Sequence, residues 1–368
     1  MNIKILEESF DFSQIKESGK SHIAIICHDQ PDPDCFATAL GMKEIADSLG
    51  FEAAIFYGGE ISHTQTRVMI NVLNISAVKL DPEDDSIESI KTFLANSYIV
   101  VVDTPNFGRE NCQSISDFVP ENKIPDLIID HHIISSRSSS AYIHKNTGSC
   151  STIMFEILKQ QEIEIGRTLA TALYLGISTD TDDLRAEGTT NEDREVFEQL
   201  KCLIDPDIYL KIFNYPKPPA MLGLRSKAYR SICVEGNLAI TQIGLINPQQ
   251  RALLGELCEE VLEIDAIETV VVMGIVDEGF EKDKYITASF RSRVLAIDTR
   301  DFMQRVFGKK YAGGRKGCGA AKVPLDDLTS NTIDRLSADE LKMKCLNDFM
   351  AALFETYKSQ IRQEKEKI

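Results

Sequence analysis

Four short stretches in the first half of the chain crowd together side chains able to bind a metal ion or move a proton. "HDQPDPD" sets His28, Asp32 and Asp34 within seven residues, "VVDTP" contributes Asp103, "IIDHH" contributes Asp130, His131 and His132, and "GISTDT" contributes Asp180. Carboxylates gathered without a cation would repel one another in a partly buried site, whereas divalent ions make the same grouping favourable. The mixture of imidazole and carboxylate donors suits Mn²⁺, with Mg²⁺, Fe²⁺, Co²⁺ or Zn²⁺ also compatible, and the absence of thiolates from these stretches speaks against a structural zinc. Asp182 and Asp183 extend the last stretch and read as surface or helix-cap carboxylates. His22, His63 and His144 fit no such grouping and read as structural or surface residues.

These stretches follow apolar runs that would position them. "HIAIIC" (22–27), "EAAIFYGG" (52–59), "YIVVVDT" (98–104) and "PDLIIDHH" (125–132) are nearly continuous in Val and Ile, as strands buried on both faces are. Helical periodicity fills the intervals, over 35–50 and again over about 149–161, 167–178 and 191–203. The alternation predicts a parallel, doubly wound sheet. In such a sheet ligands bind beyond the carboxyl ends of the strands, where the four stretches would converge.

The chain has 368 residues with 43% hydrophobic content, enough for two cores. Pro216, Pro218 and Pro219 in "NYPKPPAMLG" mark a stiff connection without regular structure. The domains expected are a catalytic unit over 1–212, a linker over 213–226, a smaller α+β unit over 227–345 and a helical tail over 346–368, with a cleft between the two units and a solvated end at "KSQIRQEKEKI". Within the second unit, a hairpin is expected around Glu235, Gly236 and Asn237. Nine cysteines, an odd number without CxxC spacing, read as reduced and mostly buried thiols. Neither a membrane span nor an export signal is visible, which predicts a cytoplasmic protein. A net charge of −17 disfavours long duplex nucleic acid as a partner.

The ordered set "HDQPDPD", "VVDTP", "IIDHH" and "GISTDT" resembles the four motifs of the DHH phosphoesterase family of the RecJ-like superfamily, over essentially the whole first unit. By position, the resemblance implies that His28 and Asp32 hold one metal ion, that Asp34, His131 and Asp180 hold a second, and that Asp103 bridges both. It further implies that His132 faces the substrate phosphate and that Asp130 orients the histidines. Arg109 matches an arginine found near the Asp103 motif.

From Arg291 to Lys322 nine basic residues stand against two acidic ones inside an acidic chain, a contrast that marks an anion site. "SFRSR", with Arg291, Ser292 and Arg293, and "YAGGRKGCGAAKVPL", with Gly313, Gly314, Arg315 and Lys316, are similar to the substrate-binding half of the DHH-associated C-terminal domain. There an RSR-like strand and a glycine loop hold the nucleotide. The family loop commonly carries a histidine after its glycines, and this chain has Arg315 and Lys316 instead.

Together these features predict a phosphoester hydrolase with two divalent ions, Mn²⁺ first among them. Its expected substrates are small: short oligonucleotides attacked by exonuclease action, linear dinucleotides or adenosine bisphosphate. Two alternatives stand beside it: a polyphosphate or pyrophosphate hydrolase, and a nucleotide-binding module without turnover. A homodimer is left open.

Overall fold

The computed structural model describes residues 10–59, 61, 64–132, 139, 141–186, 188–277, 284–294, 296–315, 317–329 and 338–365. The chain divides into two units, Met1–Pro216 and Lys217–Ile368.

In the first unit the strands are β1 (His22–Ile26), β2 (Glu52–Tyr57), β3 (Ala77–Lys79), β4 (Ser97–Val102), β5 (Leu127–Asp130) and β6 (Ala141–His144). The helices are α1 (Ser13–Glu17), α2 (Pro33–Leu49), α3 (Thr64–Leu73), α4 (Ile87–Ala95), α5 (Cys150–Gln160), α6 (Arg167–Asp180), α7 (Asn191–Lys201) and α8 (Pro206–Phe213). The six strands pair in the order β3-β2-β1-β4-β5-β6, all parallel. The direction of winding reverses between β1 and β4, so the topological switch point lies where the loops after His22–Ile26 and Ser97–Val102 leave the sheet. Apolar side chains from alternate strand positions bury on opposite faces: Ile23, Ile25, Val100 and Val102 join α2, α5 and α6 on one face, and Ala24, Ile26, Ile99 and Val101 join α4 on the other. β3 and β6, three and four residues long, escape the sequence reading because neither carries a Val/Ile run.

The second unit holds a mixed sheet in the order β11-β12-β10-β9-β8-β7, from β7 (Cys233–Glu235), β8 (Leu238–Ile246), β9 (Thr269–Asp277), β10 (Lys284–Ser292), β11 (Ala312–Arg315) and β12 (Cys318–Pro324). Only β8 and β9 run parallel, joined through a helix. The helices are α9 (Ala220–Ser231), α10 (Leu253–Leu262), α11 (Thr299–Phe307), α12 (Leu325–Thr329) and α13 (Ala338–Lys365). The expected hairpin forms, as β7 and β8.

Three expectations are corrected here. The segment 213–226 is not irregular throughout, because α9 begins at Ala220 and buries Met221, Leu224 and Ala228. Pro219 sits at its start, where a missing N–H costs nothing. The end of the chain is not simply solvated: Leu346, Leu353 and Tyr357 of α13 enter the core beside α11, and the Gln360 amide donates to Asp301 at 3.0 Å. The glycine-rich stretch is a hairpin rather than a loop, with Gly313 and Gly314 in β11 and Gly319 in β12. A methyl group on Gly314 or Gly319 would lie 2.8 or 2.9 Å from the Thr299 methyl, so these glycines let α11 settle on the sheet. Among the described residues no helix is long and apolar enough to cross a membrane.

Candidate metal centre

Each loop leaving β1, β4 and β5 delivers its chemistry within a few residues. His28 follows β1. Asp32 then caps α2, accepting from the Cys35 backbone N–H at 3.0 Å, with Pro33 as the first helical residue. Asp34 lies in the first turn of α2, fully buried, and accepts from the backbone amides of Cys150 at 2.7 Å and Ser151 at 2.9 Å. Those amides open α5, so the positive end of one helix faces a carboxylate at the start of another. α6 closes on the same turn because Gly176 has no side chain: a Cβ there would stand 2.2 Å from Ser151 Oγ and 2.8 Å from Asp34 Oδ1. This crossing brings Asp180, at the end of α6, to the site.

Asp103 is 1% exposed and has φ 58, a left-handed backbone that a non-glycine residue adopts at a cost of about 1–3 kcal/mol. Its Oδ2 lies 3.6 Å from His28 Nε2, and its Oδ1 lies 3.4 Å from His131 Nε2 and 3.9 Å from His132 Nδ1. His131 Nε2 is in turn 3.5 Å from Asp180 Oδ2, and Asp32 Oδ2 is 4.0 Å from His28 Nε2. The structure therefore brings His28, Asp32, Asp34, Asp103, His131 and Asp180 around one centre.

The ring orientations fit ligation. His28 Nδ1 faces the Asp29 carbonyl and His131 Nδ1 the Thr147 carbonyl, both at 3.0 Å. A carbonyl accepts only, so each proton sits on Nδ1 and each Nε2 carries its lone pair into the centre. His132 differs. Its Nδ1 lies 2.8 Å from Asp130 Oδ1, and Asp130, itself fully buried, also accepts from the Tyr142 hydroxyl at 3.2 Å. Asp130 thus orients His132, while Thr147 orients His131. His144, expected as a bystander, places Nε2 2.9 Å from the His132 carbonyl.

Within the protein Asp103 Oδ1 and His131 Nε2 are buried and satisfied by no hydrogen bond. Two such atoms facing each other are costly unless a third group stands between them, and the donor chemistry is that of a divalent cation. Asp34, His131 and Asp180 place donor atoms within 4.8 Å of one another, as do Asp103, His131 and His132. Metal-free, the cluster holds protons instead. Burial, then the charge of Asp103, push the Asp34 carboxyl up to about 7. Burial, then Asp32 and Asp34, hold Asp180 well above the usual carboxylate range. Burial opposes the protonation of His131, yet the nearby Asp103 carboxylate outweighs it and raises the imidazole.

Residues 22–177 match the DHH family, N-terminal domain. The chain carries a DHH-family domain. An uncharacterized protein of Methanocaldococcus jannaschii is 31% identical over 313 residues, 84% of this chain. The matched segment spans 59% of that relative's length. A Staphylococcus saprophyticus protein named Probable manganese-dependent inorganic pyrophosphatase is 25% identical over 286 residues, 71% of this chain and 87% of its own. The crystal structure of an exopolyphosphatase-related protein from Bacteroides fragilis shares the fold, with a TM-score of 0.69 at 17% identity, over 95% of this chain and 96% of that one.

The first unit contains supporting residues that the motif reading missed. Cys150, Ser151 and Thr147 act through backbone atoms, so no side-chain pattern announces them; only Ser149, the cap of α5, hints that a helix begins there. Asp29 anchors the loop after β4, accepting from the amides of Gln113 at 3.0 Å and Ser114 at 3.2 Å. Asp193 is wholly buried; it accepts from the Gly148 amide, from the Thr190 amide and from the Thr152 hydroxyl, all within 2.7 Å. Asp182 pairs with Arg185, and Asp183 accepts from Ser178, which leaves both outside the centre.

Arg109 is exposed, just before the short 3-10 turn Glu110–Cys112 in the loop after Asp103. On the second unit, Arg291 is tied to Glu259 at 3.3 Å and to the Phe290 carbonyl at 3.0 Å, Ser292 hydroxyl lies 2.8 Å from that of Thr269, and Arg293 is exposed. Lys316 and the side chain of Arg315 lie outside the described residues.

Proposed function

We propose that this chain hydrolyses phosphoester or phosphoanhydride bonds of small substrates with two divalent cations, Mn²⁺ first among them. The observation that carries the reading is the pair of orphaned buried atoms, Asp103 Oδ1 and His131 Nε2, at the meeting of two donor groups. His28 and Asp32 would hold one cation, Asp34, His131 and Asp180 the other, and Asp103 has one oxygen directed to each side. Bound there, the cations would supply Lewis acidity toward water and phosphoryl oxygens. His132, about half exposed, is held by Asp130 through Nδ1 and so offers Nε2 to an anionic substrate oxygen. Asp130 holds the ring in that orientation, and a hydrogen bond from Nε2 to an anionic oxygen needs a proton on that nitrogen as well. Arg291, Arg293 and the basic stretch up to Lys322 add anion affinity on an otherwise acidic chain.

Short oligonucleotides, linear dinucleotides and adenosine bisphosphate form the first substrate class. Pyrophosphate and polyphosphate form the second. One finding favours the second: the name of the Staphylococcus relative. The test is metal-stripped protein reloaded with Mn²⁺ and offered a dinucleotide, adenosine bisphosphate, pyrophosphate and polyphosphate, with product followed by chromatography. Turnover of one class is expected. Tight nucleotide binding with no product from any substrate would replace this reading with that of a binding module.

A further inference from the structure

The His28 end of the centre contains a donor outside the motif pattern. Cys35 follows Asp34 in the first turn of α2 and is fully buried. Its sulfur, a ring nitrogen of His28 and a carboxylate oxygen of Asp103 all lie within 4.8 Å of one another. Among the described residues it is the one thiol that joins such a group. Asp32 belongs to the same turn, with Oδ1 fixed by the Cys35 amide and Oδ2 4.0 Å from His28 Nε2.

We propose that Cys35 contributes its sulfur to the cation at the His28 end. That position would then be a nitrogen, oxygen and sulfur site suited to Zn²⁺, Co²⁺ or Fe²⁺, while the His131 end, with nitrogen and oxygen donors alone, suits Mn²⁺ or Mg²⁺. Three arguments support it. Tetrahedral ligation with a sulfur at about 2.3 Å and an imidazole nitrogen at about 2.0 Å places those donors about 3.5 Å apart, a small closure from the spacing present. The sulfur gives up little at the Val102 carbonyl, a long and weak contact at 3.7 Å. And the turn is already held in place, because the Cys35 amide donates to Asp32 Oδ1 at 3.0 Å. On binding, the thiol proton passes to solvent as the cation takes its place.

The inference rests on the divalent-metal reading, and cobalt titration of the stripped protein separates the two. Visible ligand-field bands report cobalt bound; an intense near-ultraviolet band reports sulfur on cobalt. Wild-type protein should show both. Cys35→Ser and Cys35→Ala should lose the near-ultraviolet band, keep ligand-field bands from the other position, and lose at least tenfold of the preference for zinc over manganese. Cys150→Ala should keep both bands. Ligand-field bands without the sulfur band in wild type, or a sulfur band that survives both Cys35 variants, would make Cys35 a core filler and overturn the proposal. Absence of any cobalt spectrum would overturn the metal centre itself. Should neither Cys35 variant fold, X-ray absorption of the wild-type zinc protein decides: a sulfur neighbour at about 2.3 Å supports the assignment, and nitrogen and oxygen neighbours alone refute it.

Discussion

Asp130 illustrates how far the chemistry of one residue depends on its neighbours. Its carboxylate touches His132 and Tyr142 and is buried from solvent, so it acts by orienting a ring. Asp130→Asn should lower kcat by about 10–100-fold with little change in KM, the scale of losses at residues that orient a functional histidine. The pH–rate profile should move with it, and a change in KM alone would contradict the role. Asp34 makes a second prediction. Its folded pKa, about 7, is raised above the ordinary aspartate value of about 4, so the folded metal-free protein binds the extra proton between those limits. The contribution of this group to stability is therefore fully present below about 4 and declines as pH rises toward 7, by on the order of a few kcal/mol. Thermal melts in chelator should show a falling midpoint across that window, and Mn²⁺ should remove the slope; a flat or rising midpoint without metal would refute it. At this scale the sequence was informative. Side chains that bind can be seen in it, whereas the Thr147 carbonyl and the Cys150 and Ser151 amides cannot, since every residue has such groups and only the fold aims them.

Helix crossing decides whether these residues meet at all. Gly176→Ala would drive a methyl into Ser151 and to within 3.0 Å of the Asp34 Cα, which cannot swing aside as a hydroxyl can. The expected cost is about 1–3 kcal/mol of stability. Because α6 also carries Asp180, metal affinity should fall as well. Calorimetric titration with Mn²⁺ checks this, and unchanged affinity in a destabilised variant would separate packing from the site. The long Val/Ile strands and the amphipathic helices were legible because burial on both faces leaves a compositional trace. The glycine stretch 313–319 reads as a loop because glycine marks turns, whereas in the structure it pairs as β11 and β12 and lets Thr299 of α11 approach. Residues 358–360 were read as solvated because they are polar, although Gln360 is held by Asp301 of α11.

For the whole molecule, charge is the informative quantity. A chain of net −17 with a compact basic stretch should bind small anions and avoid long polyanions. Arg291 is already restrained by Glu259 and by the Phe290 carbonyl, so little entropy is lost when it meets a phosphate. Arg291→Ala should raise KM for a nucleotide or polyphosphate substrate about tenfold or more, the worth of a charge-assisted hydrogen bond, and leave kcat on a minimal phosphate ester nearly unchanged. Equal losses on both substrates would place Arg291 in the chemistry instead.

Asp193 lies outside every motif, on a helix that supplies no donor. Yet this one anion fastens the start of α7 to Gly148 and Thr152, beside the very amides that grip Asp34. Amide hydrogens at Gly148 and Thr190 should consequently exchange with deuterium only when the whole unit opens. The connection before α5, irregular to the eye, would then be as lasting a piece of the architecture as the helices it joins.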